Sequence, residues 1–148
     1  MTSPAKILLV EDNTADVSLL RMALDEQKEK YELEVLQSGE EALRFVEEHK
    51  TGKRKPEPCV ILLDLHLARH DGLEILEAIR SAPNLGHIRV VVLSGFASPA
   101  EEERIATLGA LYVQKPFHLS EFLNLGTRII ELCKSAATGE GKLTVASN

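Results

Sequence analysis

Several residue types and patterns are scarce in this 148-residue sequence. It has no tryptophan, two tyrosines, four phenylalanines and two cysteines. No apolar run approaches the roughly 20 residues of a membrane-spanning helix, and the N-terminus Met1–Lys6 lacks the apolar stretch of a signal peptide. These absences exclude a disulfide-rich secreted scaffold and a helical membrane protein, and they predict a cytoplasmic location. Cys59 and Cys133 belong to no CxxC or Cys/His pattern, so we expect both to be packing residues.

Positive charge is also in deficit. The formal net charge is −6, which argues against a general nucleic-acid-binding surface. The one basic stretch, Lys50–Lys55, is expected to be a solvated connection. With 44% hydrophobic and 27% charged residues, the chain can fill a core and has the length of one domain.

Five apolar, β-branched-rich runs recur, and segments with helical spacing separate them. The runs are Ile7–Val10, Leu33–Leu36, Cys59–Leu63, Ile88–Leu93 and Ala110–Val113. Because most of the runs are apolar along their whole length and all of them alternate with helices, they predict an α/β fold, with a parallel sheet covered on both faces. We expect one domain over residues 1–135 and a flexible C-terminal tail over residues 136–148, where small and polar residues dominate.

Signals for helix ends agree with this alternation. Ser38–Glu41 and Ser98–Glu101 match the capping box, the second with Pro99 at the first helical position. Asn13 or Thr14 can cap the first helix, and Gly109 stands where a helix ends. The histidines His49, His87 and His118 are expected at the surface or at helix caps.

Chemically active side chains follow the predicted strands. Glu11 and Asp12 follow the first strand, Asp64 follows the third, Ser94 the fourth and Lys115 the fifth. In an open parallel sheet, sites form beyond the carboxyl ends of the strands, at the point where strand order reverses. The five side chains are therefore expected to converge at one edge of the sheet.

Such a set suits phosphoryl transfer. Carboxylate oxygens are hard ligands that favour Mg²⁺, and one carboxylate can attack phosphorus to form an aspartyl phosphate. A lysine ammonium and a hydroxyl can both donate to phosphoryl oxygens. Taken singly, each residue has a simpler interpretation: Glu11 and Asp12 as helix N-terminal acids, Ser94 as a turn residue, Lys115 as a surface lysine.

Four short motifs together resemble the receiver domain of bacterial two-component response regulators. They are Leu8–Asn13, Leu62–Leu65 with Asp71-Gly72 following, Val92–Gly95 and Lys115–Phe117, and the resemblance extends from about Ala5 to Lys134. It implies a flavodoxin-like doubly wound sheet of five strands in the order 2-1-3-4-5 with five helices; this strand order is borrowed from the family.

The resemblance also implies residue roles. Asp64 would be the phosphoacceptor, and Mg²⁺ would be held by Glu11, Asp12, Asp64 and the backbone carbonyl of His66. Lys115 and Ser94 would bind the phosphoryl group, Tyr112 would be the aromatic that changes rotamer with Ser94, and the peptide bond before Pro116 would be cis. The sequence departs from the family at Ala68, where proline is usual, at Gly95, where alanine is commoner, and in a segment before Tyr112 that is one residue shorter.

By this resemblance the chain is a stand-alone receiver that takes a phosphoryl group from a histidine kinase or phosphotransfer protein. It would be a switch with only self-catalysed phosphotransfer and dephosphorylation, and not an enzyme. Its output would be contact with a downstream protein through the fourth helix, fifth strand and fifth helix, a face that could also form a homodimer, with no direct nucleic-acid or membrane contact. The opening motif and the basic connection also resemble the small regulators paired with bacterial phytochromes.

Other interpretations remain open. A degenerate receiver could act as a scaffold without phosphorylation. A phosphatase of the haloacid dehalogenase type also phosphorylates an aspartate, but it needs a second aspartate where His66 stands. A flavodoxin-like cofactor binder would need a Ser/Thr/Gly-rich loop after the first strand, where Glu11 and Asp12 would repel a phosphate.

Overall fold

Strands and helices alternate through the whole described part of the chain, which in this computed structural model comprises residues 4–53 and 57–137. The strands are β1 (Ala5–Val10), β2 (Tyr31–Leu36), β3 (Val60–Leu63), β4 (Arg89–Ser94) and β5 (Leu111–Gln114). The helices are α1 (Thr14–Asp25), α2 (Gly39–Lys50), α3 (Gly72–Ser81), α4 (Pro99–Thr107) and α5 (Leu119–Ala137). None of the helices in these ranges is long and apolar enough to cross a membrane.

The five strands form one sheet in the order β2-β1-β3-β4-β5, and every pair is parallel. This confirms the predicted fold class and strand order. Strand order reverses at β1, which pairs with β2 on one side and β3 on the other: Val10 lies opposite both Leu36 and Leu63. The residues that follow β1 and β3 therefore emerge side by side at the point where ligands bind in open α/β sheets.

Alternation of side chains along the strands divides the core into two layers. Strand β3 is buried on both faces, and all four of its residues have 0% exposed surface. Ile61 and Leu63 pack with α2 and α3, whereas Val60 and Leu62 pack with α1 and α5. Burial on both faces explains why β3 is continuously apolar, whereas β2, at the edge of the sheet, alternates apolar residues with the exposed Glu32 and Glu34.

Helix ends follow the sequence signals with one difference. Asn13 caps α1, and Ser98 forms a complete capping box with Glu101. At α2, Ser38 Oγ accepts from the Glu41 backbone N–H, but Glu41 accepts in return from Gln37 rather than from Ser38. The capping box at α2 is therefore incomplete, because the Glu41 carboxylate accepts from the backbone N–H one residue before the N-cap.

Both cysteines pack in the core layer beneath α1 and α5, as expected, and they are also bonded to each other, which the sequence analysis did not predict. Cys59 precedes β3 and Cys133 lies near the end of α5, 74 residues later, and the structure joins them in a disulfide with a Cα–Cα distance of 5.2 Å. Their pairing follows from the packing of α5 against the N-terminal ends of β1 and β3, which no local spacing of cysteines reveals.

Two further expectations need correction or restriction. His49 is buried, with 1% of its surface exposed; its Nδ1 donates to the Phe45 carbonyl and its ring lies 4.4 Å from the Phe45 ring. It faces the core because it shares the apolar side of α2 with Phe45.

Helix α5 continues to Ala137, two residues into the predicted tail. The rest of that tail, residues 138–148, lies outside the described residues.

Candidate functional site

An acidic cluster lies at the carboxyl ends of β1 and β3. Glu11, Asp12 and Asp64 each offer a carboxylate oxygen, and these oxygens lie within 4.8 Å of one another. The sheet continues into the cluster, since the Glu11 N–H donates to the Leu36 carbonyl and the Asp64 N–H donates to the Val10 carbonyl. The strand ladder thus places two of the three acids directly.

Backbone N–H groups orient the carboxylates. Asp64 Oδ1 accepts from the His66 N–H at 3.3 Å, and Asp12 Oδ2 accepts from the Ala68 N–H at 3.1 Å. The loop that supplies both donors runs from β3 to α3 and needs a residue without a side chain at its end. A Cβ atom at Gly72 would lie 2.6 Å from the Asp64 carbonyl oxygen. Gly72 therefore allows α3 to begin close behind the site.

Lys115 enters the cluster from the end of β5. Its Nζ lies 2.9 Å from Glu11 Oε1, 2.8 Å from Asp16 Oδ2 and 3.7 Å from Asp64 Oδ2. Sequence reasoning missed Asp16, which lies in the first turn of α1. The only signal for it was an acid four residues after Asp12, and that is also an ordinary feature of a helix N-terminus.

Burial sets the electrostatics of the cluster. Glu11 is 2% exposed and Asp64 is 5% exposed. Burial raises the pKa of Glu11 to about 7; the hydrogen bond from Lys115 opposes this shift and the charge of Asp64 adds to it. Burial disfavours the charged form of Lys115, but hydrogen bonds to Asp16 and Glu11 outweigh it and raise the pKa of the ammonium above its ordinary value. Burial thus favours the neutral form of Glu11, while the neighbouring acids favour the charged form of Lys115.

A hydroxyl and an aromatic side chain border the cluster on the β4–β5 side. Ser94 is 1% exposed, and its Oγ donates to the Phe96 carbonyl at 3.2 Å. The Tyr112 hydroxyl donates to the Ser94 carbonyl at 3.2 Å. His66 Nε2 also donates to the Phe96 carbonyl, at 2.9 Å. The loop after β4 is therefore held by side chains that bind its backbone carbonyls.

The donor set suits a hard divalent cation. Three carboxylates at this spacing match the oxygen ligands that Mg²⁺ and Mn²⁺ prefer. Bringing these acids together without a cation is unfavourable, since like charges repel and desolvation penalises each anion. The coordinating role of the His66 backbone carbonyl and the cis peptide before Pro116 stay predictions from sequence.

Comparison with known proteins agrees with the fold and with the acidic cluster. The model of the response regulator receiver domain matches residues 7–125. The chain belongs to this family. Among curated relatives, the response regulator Rcp1 of Synechocystis sp. is 39% identical over 104 residues, which covers 70% of this chain and 69% of Rcp1. The response regulator DivK of Brucella anthropi is 31% identical and covers 81% of this chain and 91% of DivK.

Solved receiver structures superpose on this one. The phosphorylated cyanobacterial phytochrome response regulator RcpA matches with a TM-score of 0.80 at 34% identity, covering 90% of this chain and 96% of RcpA. The Mn²⁺-bound form of Rcp1 matches with a TM-score of 0.75 at 33% identity, covering 85% of this chain and 91% of Rcp1. A divalent cation and a phosphorylated state are thus both recorded among receivers similar to this chain.

Proposed function

We propose that this chain is a phosphorylation-dependent signalling switch in which Asp64 accepts a phosphoryl group from a histidine kinase or a phosphotransfer protein. The observation that carries the proposal is the position of Asp64, whose carboxylate lies within 4.8 Å of those of Glu11 and Asp12 and 3.7 Å from the Lys115 ammonium. A carboxylate so placed can attack phosphorus while cationic groups meet the charge that accumulates on the phosphoryl oxygens.

In the proposed step a carboxylate oxygen of Asp64 forms a bond to phosphorus while the phosphorus–nitrogen bond of the donor phosphohistidine breaks. The donor imidazole leaves with the bonding electron pair. Lys115 would donate to one phosphoryl oxygen. The Ser94 hydroxyl, which donates to the Phe96 carbonyl in this structure, would turn to donate to a second phosphoryl oxygen. A bound Mg²⁺, held by Glu11, Asp12 and Asp64, would offset negative charge on the transferred group.

The output surface is proposed to be α4, β5 and α5. Helix α4 has only one buried residue, Ile105, so its contact with the core is small. Tyr112 packs against the core cluster that contains Ile105 of this helix, and its hydroxyl donates to the Ser94 carbonyl. A new phosphoryl group adds about −1.5 to −2 charge. Movement of Ser94 toward it would leave the Phe96 carbonyl with His66 as its remaining donor and shift the population of loop and helix positions. A downstream protein, or a second copy of the chain, would recognise the shifted face.

The similarity to RcpA supports a proposal about the upstream partner. RcpA is a phytochrome response regulator, and the bacteriophytochrome response regulator AtBRR also matches this chain, with a TM-score of 0.68 at 32% identity. A phytochrome-type kinase, acting in the cytoplasm, is therefore the proposed phosphoryl donor. The aspartyl phosphatase alternative has less support, since His66 stands where a second acid would be needed and its ring donates to the Phe96 carbonyl.

The test is intact mass spectrometry after incubation with Mg²⁺ and acetyl phosphate. We expect the wild-type chain to gain one phosphoryl group and Asp64→Asn to gain none. Asp25→Asn, which removes a carboxylate at the far end of α1, is the matched control and should gain the group as wild type does. A wild-type chain that stays unmodified with both acetyl phosphate and a phosphorylated kinase would favour the scaffold alternative.

Mg²⁺ binding should depend on pH through Glu11. Because the pKa of Glu11 is raised to about 7 in the metal-free fold, a proton must leave before the carboxylate can hold a cation. We expect affinity about tenfold weaker at pH 6 than at pH 8, measured by calorimetric titration. Stability of the metal-free fold changes with pH in the opposite direction. Because the pKa of Glu11 is raised from 4.5 to about 7 in the fold, its contribution to the free energy of unfolding is full below pH 4.5 and is lost as pH rises through 7.

Glu11→Gln provides the control for this pH effect. It cannot titrate, so its weaker Mg²⁺ binding should vary much less between pH 6 and pH 8. Equal affinity of the wild-type chain at both pH values would contradict the role given to Glu11.

A further inference from the structure

The shortest ion pair of Lys115 is with a carboxylate that the proposed reaction does not use. Lys115 Nζ lies 2.8 Å from Asp16 Oδ2, against 3.7 Å from Asp64, the proposed acceptor. Asp16 does not belong to the acidic cluster. Among the described residues, the carboxylates close enough to share one metal ion are those of Glu11, Asp12 and Asp64. The partner of Asp16 in the site is therefore the ammonium.

The local fold fixes both members of this pair. Asn13 caps α1 by accepting from the N–H groups of Ala15 and Asp16, which sets the direction of the first turn. The Lys115 backbone N–H donates to the Ser94 carbonyl at 2.9 Å, which holds the lysine at the end of β5. The side chains of Asp16 and Lys115 are 24% and 18% exposed, so solvent screens their attraction only in part.

The ammonium has three N–H donors, and in this structure two of them have close acceptors, Glu11 and Asp16. Once Glu11 binds a cation, its ion pair with the Lys115 ammonium weakens, whereas the ion pair between Asp16 and the ammonium remains. A phosphoryl group on Asp64 would then need an ammonium whose nearest partner is a competing anion. Asp16 also contributes negative charge beside a site that gains more negative charge on phosphorylation.

We propose that Asp16 is a positioning residue that holds Lys115 in the resting site and competes with the phosphoryl group on Asp64 for its ammonium. This inference rests on the proposed function, because it concerns the same acceptor. It assigns to α1 a direct influence on how readily the phosphorylated state forms. A first-turn acid that served only the helix N-terminus would not alter binding of an anion at Asp64 through Lys115.

The test uses beryllofluoride, a phosphoryl mimic that binds a carboxylate, titrated into the full chain at saturating Mg²⁺ and followed by ¹⁹F NMR. We expect Asp16→Asn to bind it about fivefold more tightly than wild type, because loss of one partly exposed ion pair frees the ammonium. Asp16→Glu, which restores a carboxylate, should return the affinity toward the wild-type value. Glu40→Gln, which removes an exposed acid from the first turn of α2, should leave it unchanged.

Equal or weaker beryllofluoride binding by Asp16→Asn would overturn the inference while leaving Asp64 as the acceptor. A gain of the same size in Glu40→Gln would also overturn it, since general charge would then explain the effect. A wild-type chain that binds no beryllofluoride would instead overturn the proposed acceptor site, and the inference with it. The phosphoryl transfer assay on Asp64→Asn distinguishes these two failures.

Discussion

Lys115→Met is expected to slow phosphorylation of Asp64 by about a hundredfold or more, the size of effect seen when one preorganised donor to a developing anion is removed. The wild-type ammonium lies 3.7 Å from Asp64 Oδ2 and is the cation that the chain itself supplies to the acid cluster. Methionine keeps an unbranched side chain one atom shorter than lysine and removes the charge and the donors. The rate is measured by intact mass against time with acetyl phosphate at saturating Mg²⁺.

Lys134→Met is the matched control. Lys134 lies on α5 and pairs with Glu29, and its side chain is 59% exposed. Its loss should leave the rate unchanged within a factor of about two, since surface ion pairs contribute at most about 1 kcal/mol. Lys115→Arg should recover part of the rate, because it restores charge with a different donor geometry. If Lys115→Met reacts at the wild-type rate, the ammonium does not assist transfer.

Reduction of the disulfide between Cys59 and Cys133 should lower the free energy of unfolding by about 4 kcal/mol. The bond joins residues separated by 74 positions, so it removes a large amount of chain entropy from the unfolded state. It also ties α5 to the start of β3 at the edge of the sheet opposite the acidic cluster. Urea unfolding with and without a thiol reductant measures the difference.

The double variant Cys59→Ala with Cys133→Ala is the control, and its unfolding midpoint should not change with reductant. Cys133 is 4% exposed, so the variant also loses some core packing, and only the response to reductant isolates the bond. Equal midpoints of the wild-type chain in oxidant and reductant would contradict the prediction. In a reducing cytoplasm the dithiol form would prevail, and the chain would have the lower stability.

Local patterns in the sequence predict the architecture well. Buried parallel strands must be apolar throughout, so the runs that end at Val10 and Leu63 are recognisable as strands from their composition alone. Helix caps such as Asn13 and Ser98 are recognisable because a cap satisfies backbone groups within three residues of itself. Family resemblance supplies the strand order, which no local pattern contains.

The candidate site is predictable to the extent that topology determines it. In a parallel sheet all strand ends of one kind meet at one edge, so acids that follow β1 and β3 and a lysine that follows β5 have to approach one another. The structure places Glu11, Asp12, Asp64 and Lys115 together in this way. The sheet register, with Val10 opposite Leu63, brings the acids that follow β1 and β3 side by side.

Other contacts depend on how helices pack across the sheet. Asp16 and Lys115 lie 99 residues apart, and they meet because α1 covers the face of the sheet beside which β5 ends. Cys59 and Cys133 meet because α5 crosses the same face toward the start of β3.

Local periodicity and parallel pairing are therefore enough to define the strands, the helix caps and the acids at the carboxyl ends of the strands. Periodicity and pairing can both be derived from the order of the residues. The nearest partner of Lys115, the disulfide and the burial of His49 cannot be derived in that way. Each of them depends on the angle and position at which a helix packs against the sheet, which is a property of the whole fold and not of any one segment.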